Sequence, residues 1–138
     1  MPTLCPFSYA IVRVVPQVER EEFVNAGVVV FCDALDYLEA RVELDEARLL
    51  SLDPRVDLAL VRRHLEVLPR LCAGGADAGN IGRLPLRERW HWLIAPRSTV
   101  IQVSPAHAGV SERPHEEAER LLDRVVRTTR ARAVAEGS

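Results

Sequence analysis

A charged segment followed by an apolar run holds the residues best suited to chemistry. Residues 19–25 read Glu-Arg-Glu-Glu-Phe-Val-Asn, and Ala26 and Gly27 lead into an apolar run at 28–32. The run does not alternate, which predicts a strand buried on both faces. Asn and Gly tolerate left-handed backbone, so this sequence indicates a tight turn at the strand entry.

Polar side chains at the mouth of a core strand are held rigidly, and we predict a binding site there. In this hypothesis Arg20 binds an anion, Asn25 orients a ligand and Glu22 adds a carboxylate. The competing interpretation is a surface turn in which Asn25 satisfies its own backbone and the charges are solvated. Both interpretations remain open from the residues alone.

Two further segments carry candidate residues. Arg97 and Ser98 open a predicted fourth strand, where a guanidinium and a hydroxyl could contact a phosphate or an oxyanion. His107 follows that strand in a segment framed by proline and glycine, a position that could present a general base. A histidine in such a segment is more often only exposed.

Composition narrows the possible functions. The 138 residues carry 20 acidic and 18 basic side chains for a net charge of −2, which argues against nucleic-acid binding. The best basic patch is at the end of the last predicted helix, with Arg124, Arg127, Arg130 and Arg132. All basic residues are arginine, so the chain has no lysine for a Schiff base or a P-loop.

Cysteine and histidine spacing predicts no metal or cofactor. Cys5, Cys32 and Cys72 are far apart and odd in number, which argues against a disulfide framework and a zinc site. The two later cysteines lie in apolar surroundings and are expected to be inert. The chain has no apolar leader or membrane-length run, so we expect a soluble, cytoplasmic protein.

The elements that position these residues follow from apolar periodicity. Strands are predicted at 7–15, 27–33, 37–44 and 99–103, and helices at 46–52, 54–68, 84–95 and 116–126. Residues 84–95 also fit a strand edge, and 73–82 and 105–114 are expected to be loops. The order predicts an α+β domain with a mainly antiparallel sheet. The sheet would consist of a three-strand meander plus a fourth strand, and the helices would pack on one of its faces. Residues 1–129 would form the domain and 130–138 a disordered tail.

Three phrases of the sequence resemble one family. They are YAIVRVVP at 9–16, EFVNAGVVVF at 22–31 and RWHWLIAPRSTVIQVSP at 89–105. They resemble the small bacterial family catalogued as domain of unknown function 3037, over about 7–126. The range of the resemblance includes Arg20, Phe23, Asn25, Gly27, Arg97, Ser98 and His107. Glu21 departs from the pattern, because a small residue, often glycine, is expected there.

The resemblance implies no assigned activity, but it implies an association with genes for HipA-like kinases. We therefore expect a non-enzymatic accessory or partner-binding protein, with a HipA-like kinase or a second copy of the chain as candidate partners. The alternative is an enzyme that acts on a phosphate- or carboxylate-bearing substrate. That enzyme would require convergence of Arg20, Glu22, Asn25, Arg97 and His107.

Overall fold

An antiparallel sheet organises the part of the chain that the structure, a computed structural model, describes: residues 3–97 and 99–127. Within these residues its strands are β1 (Cys5–Val14), β2 (Val24–Cys32), β3 (Tyr37–Val42), β4 (Ile101–Val103) and β5 (His107–Ser111). The strand order is β3-β2-β1, and β4 and β5 both pair with the far edge of β1. The predicted α+β class with an antiparallel sheet is confirmed.

The interior position of β2 is explained by its apolar run. Val29 and Val30 are both fully buried, although they point to opposite faces of the sheet. A strand that is apolar on both faces must be covered on both, and β2 lies between β1 and β3. The predicted burial of this strand is therefore correct.

The prediction of a loop at 105–114 is wrong, because β5 lies within it. β5 pairs with Cys5–Tyr9 of β1, a contact between segments about a hundred residues apart. Ser104 makes the transition from β4, since its backbone N–H donates to Ile11 O at 2.8 Å and its Oγ accepts from Ile11 N at 2.9 Å. Its buried hydroxyl replaces a backbone partner where the two strands separate.

The helices are α1 (Glu46–Leu52), α2 (Leu58–Ala73), α3 (Gly79–Gly82), α4 (Leu86–Ile94) and α5 (Glu117–Leu121). A π-helical turn, Leu122–Val126, continues α5. The predicted helices at 46–52 and 84–95 are confirmed. The loop predicted at 73–82 instead contains α3 and a 3-10 turn, Ala76–Ala78.

The helix α2 differs from its predicted bounds at both ends. It begins after Asp57, whose carboxylate accepts from Leu60 N, and not after Asp53. It was expected to end or kink near Leu68, and it continues through Pro69 to Ala73. Proline removes one backbone hydrogen bond, and the burial of Leu71 and Cys72 beyond it offsets that loss.

Helices cover both faces of the sheet, where one face was expected. On one face α2 and α4 pack on a cluster that includes Val29, Phe31 and Trp90. On the other face α5 and the π-helical turn cover Val28, Val30 and Cys32. The second layer follows from the strand that is apolar on both faces. The predicted tail at 130–138 lies outside the described residues.

Candidate functional site

A β-bulge, not a turn, positions Asn25. Gly27 lies opposite Val12, but Asn25 lies opposite Arg13, so Ala26 is an extra residue in β2. The segment expected to precede the strand is therefore inside it, and Gly27 is not left-handed. The bulge reverses the alternation, which turns Asn25 toward the face that the π-helical turn covers. On that face its Nδ2 donates to Val125 O at 3.0 Å.

Three polar side chains lie side by side on that face of the sheet. The strand register places Gln102 of β4 opposite Arg13 of β1, and Arg13 opposite Asn25 of β2. Directly opposed residues in antiparallel strands have Cβ atoms about 5 Å apart and project from the same face. We call Gln102, Arg13 and Asn25 the polar row.

Arg13 is only partly exposed and has no polar partner among the described residues. Its guanidinium carbon lies 4.3 Å from the centre of the Phe23 ring, a cation–π distance. Its Nε is buried and has no hydrogen-bond acceptor among the described residues. Phe23 is 42% exposed, and Arg13 itself is partly exposed.

Asn25 leaves an unused acceptor beside this unused donor. Its Nδ2 is fixed by Val125 O, which orients the amide, and its Oδ1 is buried without a donor in the described chain. Gln102 is held in a similar way, since its Nε2 donates to Thr99 O at 2.9 Å. A buried polar atom without a partner costs about 1–3 kcal/mol. The polar row thus has buried hydrogen-bonding capacity that the described protein does not use.

The other partly buried arginines of the described residues all have polar partners. Arg89 donates to Leu71 O, Cys72 O and Leu84 O, where it holds the end of α2. Two more lie in ion pairs and one donates to carbonyls: they are Arg41, Arg127 and Arg97. Arg13 differs from all of these. It has no ion pair within the described part of the chain.

Arg20 and Glu22 form an exposed pair at the entrance to β2. Arg20 Nε donates to Glu22 Oε1 at 2.5 Å, with the two side chains 59% and 44% exposed. The hydrogen bond to Glu22 and its charge raise the pKa of Arg20. Glu21 between them has a φ of 56°, in the left-handed region. That backbone favours glycine, which explains why a small residue is expected at this position.

Arg97 lies at the end of α4 and is engaged there. Its guanidinium stacks 3.9 Å from the Trp92 ring centre and donates to the carbonyls of Leu93 and Trp92. Burial lowers the pKa of Arg97. These contacts satisfy the last carbonyls of the helix, a role that basic side chains commonly have. Ser98 lies outside the described residues.

His107 begins β5, opposite Tyr9, and its ring stacks on Tyr9 with centroids 5.1 Å apart. Tyr9 and Arg13 are four residues apart along β1, which is roughly 13 Å in a strand. The structure thus brings Arg20 and Glu22 to the strand that carries Asn25, but it does not bring His107 into contact with the polar row.

Arg13 was not among the site residues predicted from the sequence. Arg13 is the lone charge in an otherwise apolar strand, and Gln102 is a polar interruption in another, so both signals were present. Neither signal identifies a site until the register of β1, β2 and β4 is known. The bulge at Ala26 then decides which side chains share a face with Arg13.

A second charged surface contains a network of ion pairs. A cleft of about 580 Å³ lies along α5 and includes Arg41, Glu119 and Arg127. Arg41 pairs with Glu39 and Glu119, and Arg127 pairs with Glu119 and Glu43, at 2.6–2.8 Å. Each of these guanidinium groups contacts two carboxylates. The network therefore ties α5 to β3, and its two arginines are already paired.

Two of the cysteines match their predicted environment, since Cys32 and Cys72 are buried, and burial raises the pKa of the Cys72 thiol to about 12. Within residues 3–97 and 99–127, no group of three metal-ligating side chains could hold a metal ion. None of the helices described is long and apolar enough to cross a membrane.

Comparison with known proteins gives one match. A family model described as Protein of unknown function (DUF3037) matches residues 9–126. This range contains the polar row, Phe23 and the pair of Arg20 and Glu22. No curated protein and no solved structure matches the chain.

Proposed function

We propose that this chain, which belongs to the family of proteins of unknown function DUF3037, is an accessory module that binds a protein partner through the polar row. The partner would present an anionic group to Arg13 and an apolar side chain to Phe23. The module itself carries out no reaction in this proposal.

The proposal rests on Arg13, whose guanidinium is partly buried without an anion among the described residues. A partly buried cation without an anion is costly, because desolvation weakens its hydration and no partner charge offsets the loss. Arg13 nevertheless lies on a sheet face with its Nε buried and unpaired among the described residues. A carboxylate from a partner would offset this cost by accepting hydrogen bonds from the guanidinium.

The acceptor on Asn25 specifies the partner further. Oδ1 of Asn25 is buried without a donor among the described residues, so a partner N–H would reach it only by displacing the π-helical turn that holds Nδ2. A group that supplies both an anion and a nearby N–H is a peptide segment with an acidic side chain or a terminal carboxylate. The polar row therefore fits an acidic peptide better than it fits a simple inorganic anion.

Phe23 supports a protein partner in particular. Aromatic and arginine side chains are enriched at protein interfaces, and they dominate hot spots where a few residues carry the affinity. Phe23 is 42% exposed and already packs on Arg13. The exposed pair of Arg20 and Glu22 would lie at the polar rim of the same interface.

A HipA-like kinase is the candidate partner that the family resemblance suggests. The resemblance concerns neighbouring genes, and the polar row adds a physical requirement to it. The kinase, or any other partner, must expose an acidic segment in an extended form.

Copurification from the native host tests the proposal. The tagged chain, Arg13→Gln, and the matched control Arg63→Gln would each be used to capture partners, with purified HipA-like kinase as a direct arm. Arg63 is exposed on α2 and has no ion pair in the described chain. We expect Arg13→Gln to weaken capture at least about tenfold, while Arg63→Gln behaves as the wild type.

Thermal melting of each variant would establish that it is folded. A chain that captures no specific partner under any condition would contradict the proposal. The same conclusion would follow if a folded Arg13→Gln variant captured the partner as well as the wild type does. Capture of a partner other than the kinase would retain the binding function and exclude only that candidate.

A further inference from the structure

In the part of the chain that the structure describes, the outer edge of β5 pairs with no other strand. Pro6, which has no N–H, lies opposite Val110, so that pair cannot exchange both backbone hydrogen bonds. In an antiparallel pair of strands, every second pair of opposite residues exchanges backbone hydrogen bonds. Those pairs here must be the ones that alternate with Pro6 and Val110, and they include Gly109 opposite Phe7. By the same alternation, the N–H and C=O groups of Ala108 and Val110 point away from β1. They form a short row of outward donors and acceptors.

The other sheet edges of the described chain are covered or partly used. On β3 the outward residues Leu38 and Ala40 are 8% and 5% exposed, because α2 packs along that edge. On β4 the hydroxyl of Thr99 donates to Ile101 O at 2.6 Å, which occupies an outward carbonyl. β5 is the strand whose edge remains open.

The side chains of β5 do not protect this edge. Natural edge strands usually carry charges, proline or a strong bulge that prevents another strand from pairing. Residues 107–111 have no Asp, Glu or Arg and no proline, and Ala108 is exposed. Val110 is 64% exposed, and Leu4 beside it is 61% exposed. These two residues form a small apolar surface against which a neighbouring strand could pack.

We infer that β5 pairs with β5 of a second copy of this chain, antiparallel and about a twofold axis at Gly109. This register places Ala108 opposite Val110 of the partner subunit, and the reverse pair follows by symmetry. Each of the two pairs exchanges two backbone hydrogen bonds, because both residues point outward. The five strands of each copy would then join into one continuous sheet.

The chemistry of β5 favours a second copy over the acidic partner proposed above. β5 has no arginine that would attract an acidic segment, whereas the polar row has Arg13. A second β5 brings no like charges together and sets a small side chain against a larger one. The polar row lies at residue 13 of β1, beyond residues 5–9 with which β5 pairs. Dimerisation therefore leaves the polar row open, and the two proposals are independent.

Sedimentation velocity of the purified chain tests the inference. We expect the wild type to sediment as a dimer over a range of concentrations, and Ala108→Pro and Val110→Lys to sediment as monomers. Proline at 108 removes an outward N–H and leaves the bonds to β1 intact. Val67→Lys on α2 is the control, since Val67 is 43% exposed on another surface, and it should remain dimeric.

Circular dichroism would show whether each variant is folded. If Ala108→Pro is not folded, Val110→Lys decides the question alone. A wild type that is monomeric throughout would overturn the inference, as would a folded Ala108→Pro or Val110→Lys variant that remains dimeric. The experiment contains no other protein, so its failure would not affect the copurification result.

Discussion

Gly27 illustrates how one residue sets the distance between strands. A Cβ atom at this position would lie 2.6 Å from the backbone oxygen of Arg41 and 3.1 Å from Cα of Val42. Its backbone is not left-handed, so conformational freedom is not what requires glycine. The requirement comes from the close approach of β2 and β3 next to the bulge.

Gly27→Ala should therefore destabilise the fold by about 1–3 kcal/mol, the usual cost of overpacking a buried site. Chemical denaturation would measure the change in the free energy of unfolding. The double variant Gly27→Ala/Val42→Ala is the control. It removes the side-chain contact with Val42 but not the backbone clash with Arg41, so it should not restore stability. Wild-type stability in Gly27→Ala would show that β2 and β3 can separate easily.

Single site residues such as Asn25 can be predicted from the sequence, but the side chains that lie beside them in the fold cannot. Asn25 was predicted as a site residue, and the structure shows it oriented by Val125 O with an unused acceptor. Its neighbour Arg13 could not be assigned to the site, because Asn-Ala-Gly indicates a turn as readily as a bulge. Only the register slip at Ala26 places the two side chains on one face.

At the scale of elements, an ion-pair network joins α5 to β3. Glu119 is its centre, with Arg41 at 2.8 Å and Arg127 at 2.7 Å. The hydrogen bond from Arg127 is the largest cause that lowers the pKa of Glu119, followed by the charge of Arg127 and the hydrogen bond from Arg41. The carboxylate is thus stabilised in the folded chain relative to the unfolded chain.

A lowered folded pKa means that this stabilisation is present above the unfolded pKa of Glu119. It is lost as pH falls through the folded pKa. Glu119→Gln should lower the melting temperature at neutral pH, and its difference from wild type should shrink in acid. The side chain is about half exposed, so solvent screening limits the effect to below about 1 kcal/mol.

Thermal melting at several pH values would measure this dependence. Glu88→Gln on α4 is the matched control, since Glu88 is exposed and has no ion pair in the described chain. It should show no pH-dependent difference. If Glu119→Gln loses no stability at neutral pH, the ion-pair network does not stabilise the contact between α5 and β3.

The predictability of the elements depends on how local their signals are. The apolar run of β2 and the helix at 46–52 have local signals, and both were predicted. β5 was not predicted, because His-Ala-Gly-Val-Ser has little strand character of its own and pairs with a distant segment. Pro69 was expected to end or kink α2, and the helix continues beyond it with buried residues.

At the scale of the whole molecule, the sheet separates two surfaces with different chemistry. Arg13 and Asn25 lie near the end of β1 where β2 begins, and this end offers a cation, an acceptor and an aromatic ring. The open edge of β5 lies farther along β1 and is uncharged. The α+β class could be predicted from periodicity, but the second helical layer required recognising that a strand apolar on both faces needs two covers.

We propose that Arg13 binds an anionic group of a partner peptide. Side-chain NMR of the arginine Nε–H signals tests this directly, with a hexaglutamate peptide as the probe and Arg63→Gln protein for assignment of an exposed control. We expect the Arg13 signal, whose Nε is buried, to shift saturably with added peptide while the Arg63 signal stays nearly fixed. An Arg13 signal that does not move, or that moves no more than the signal of Arg63, would contradict peptide binding by Arg13.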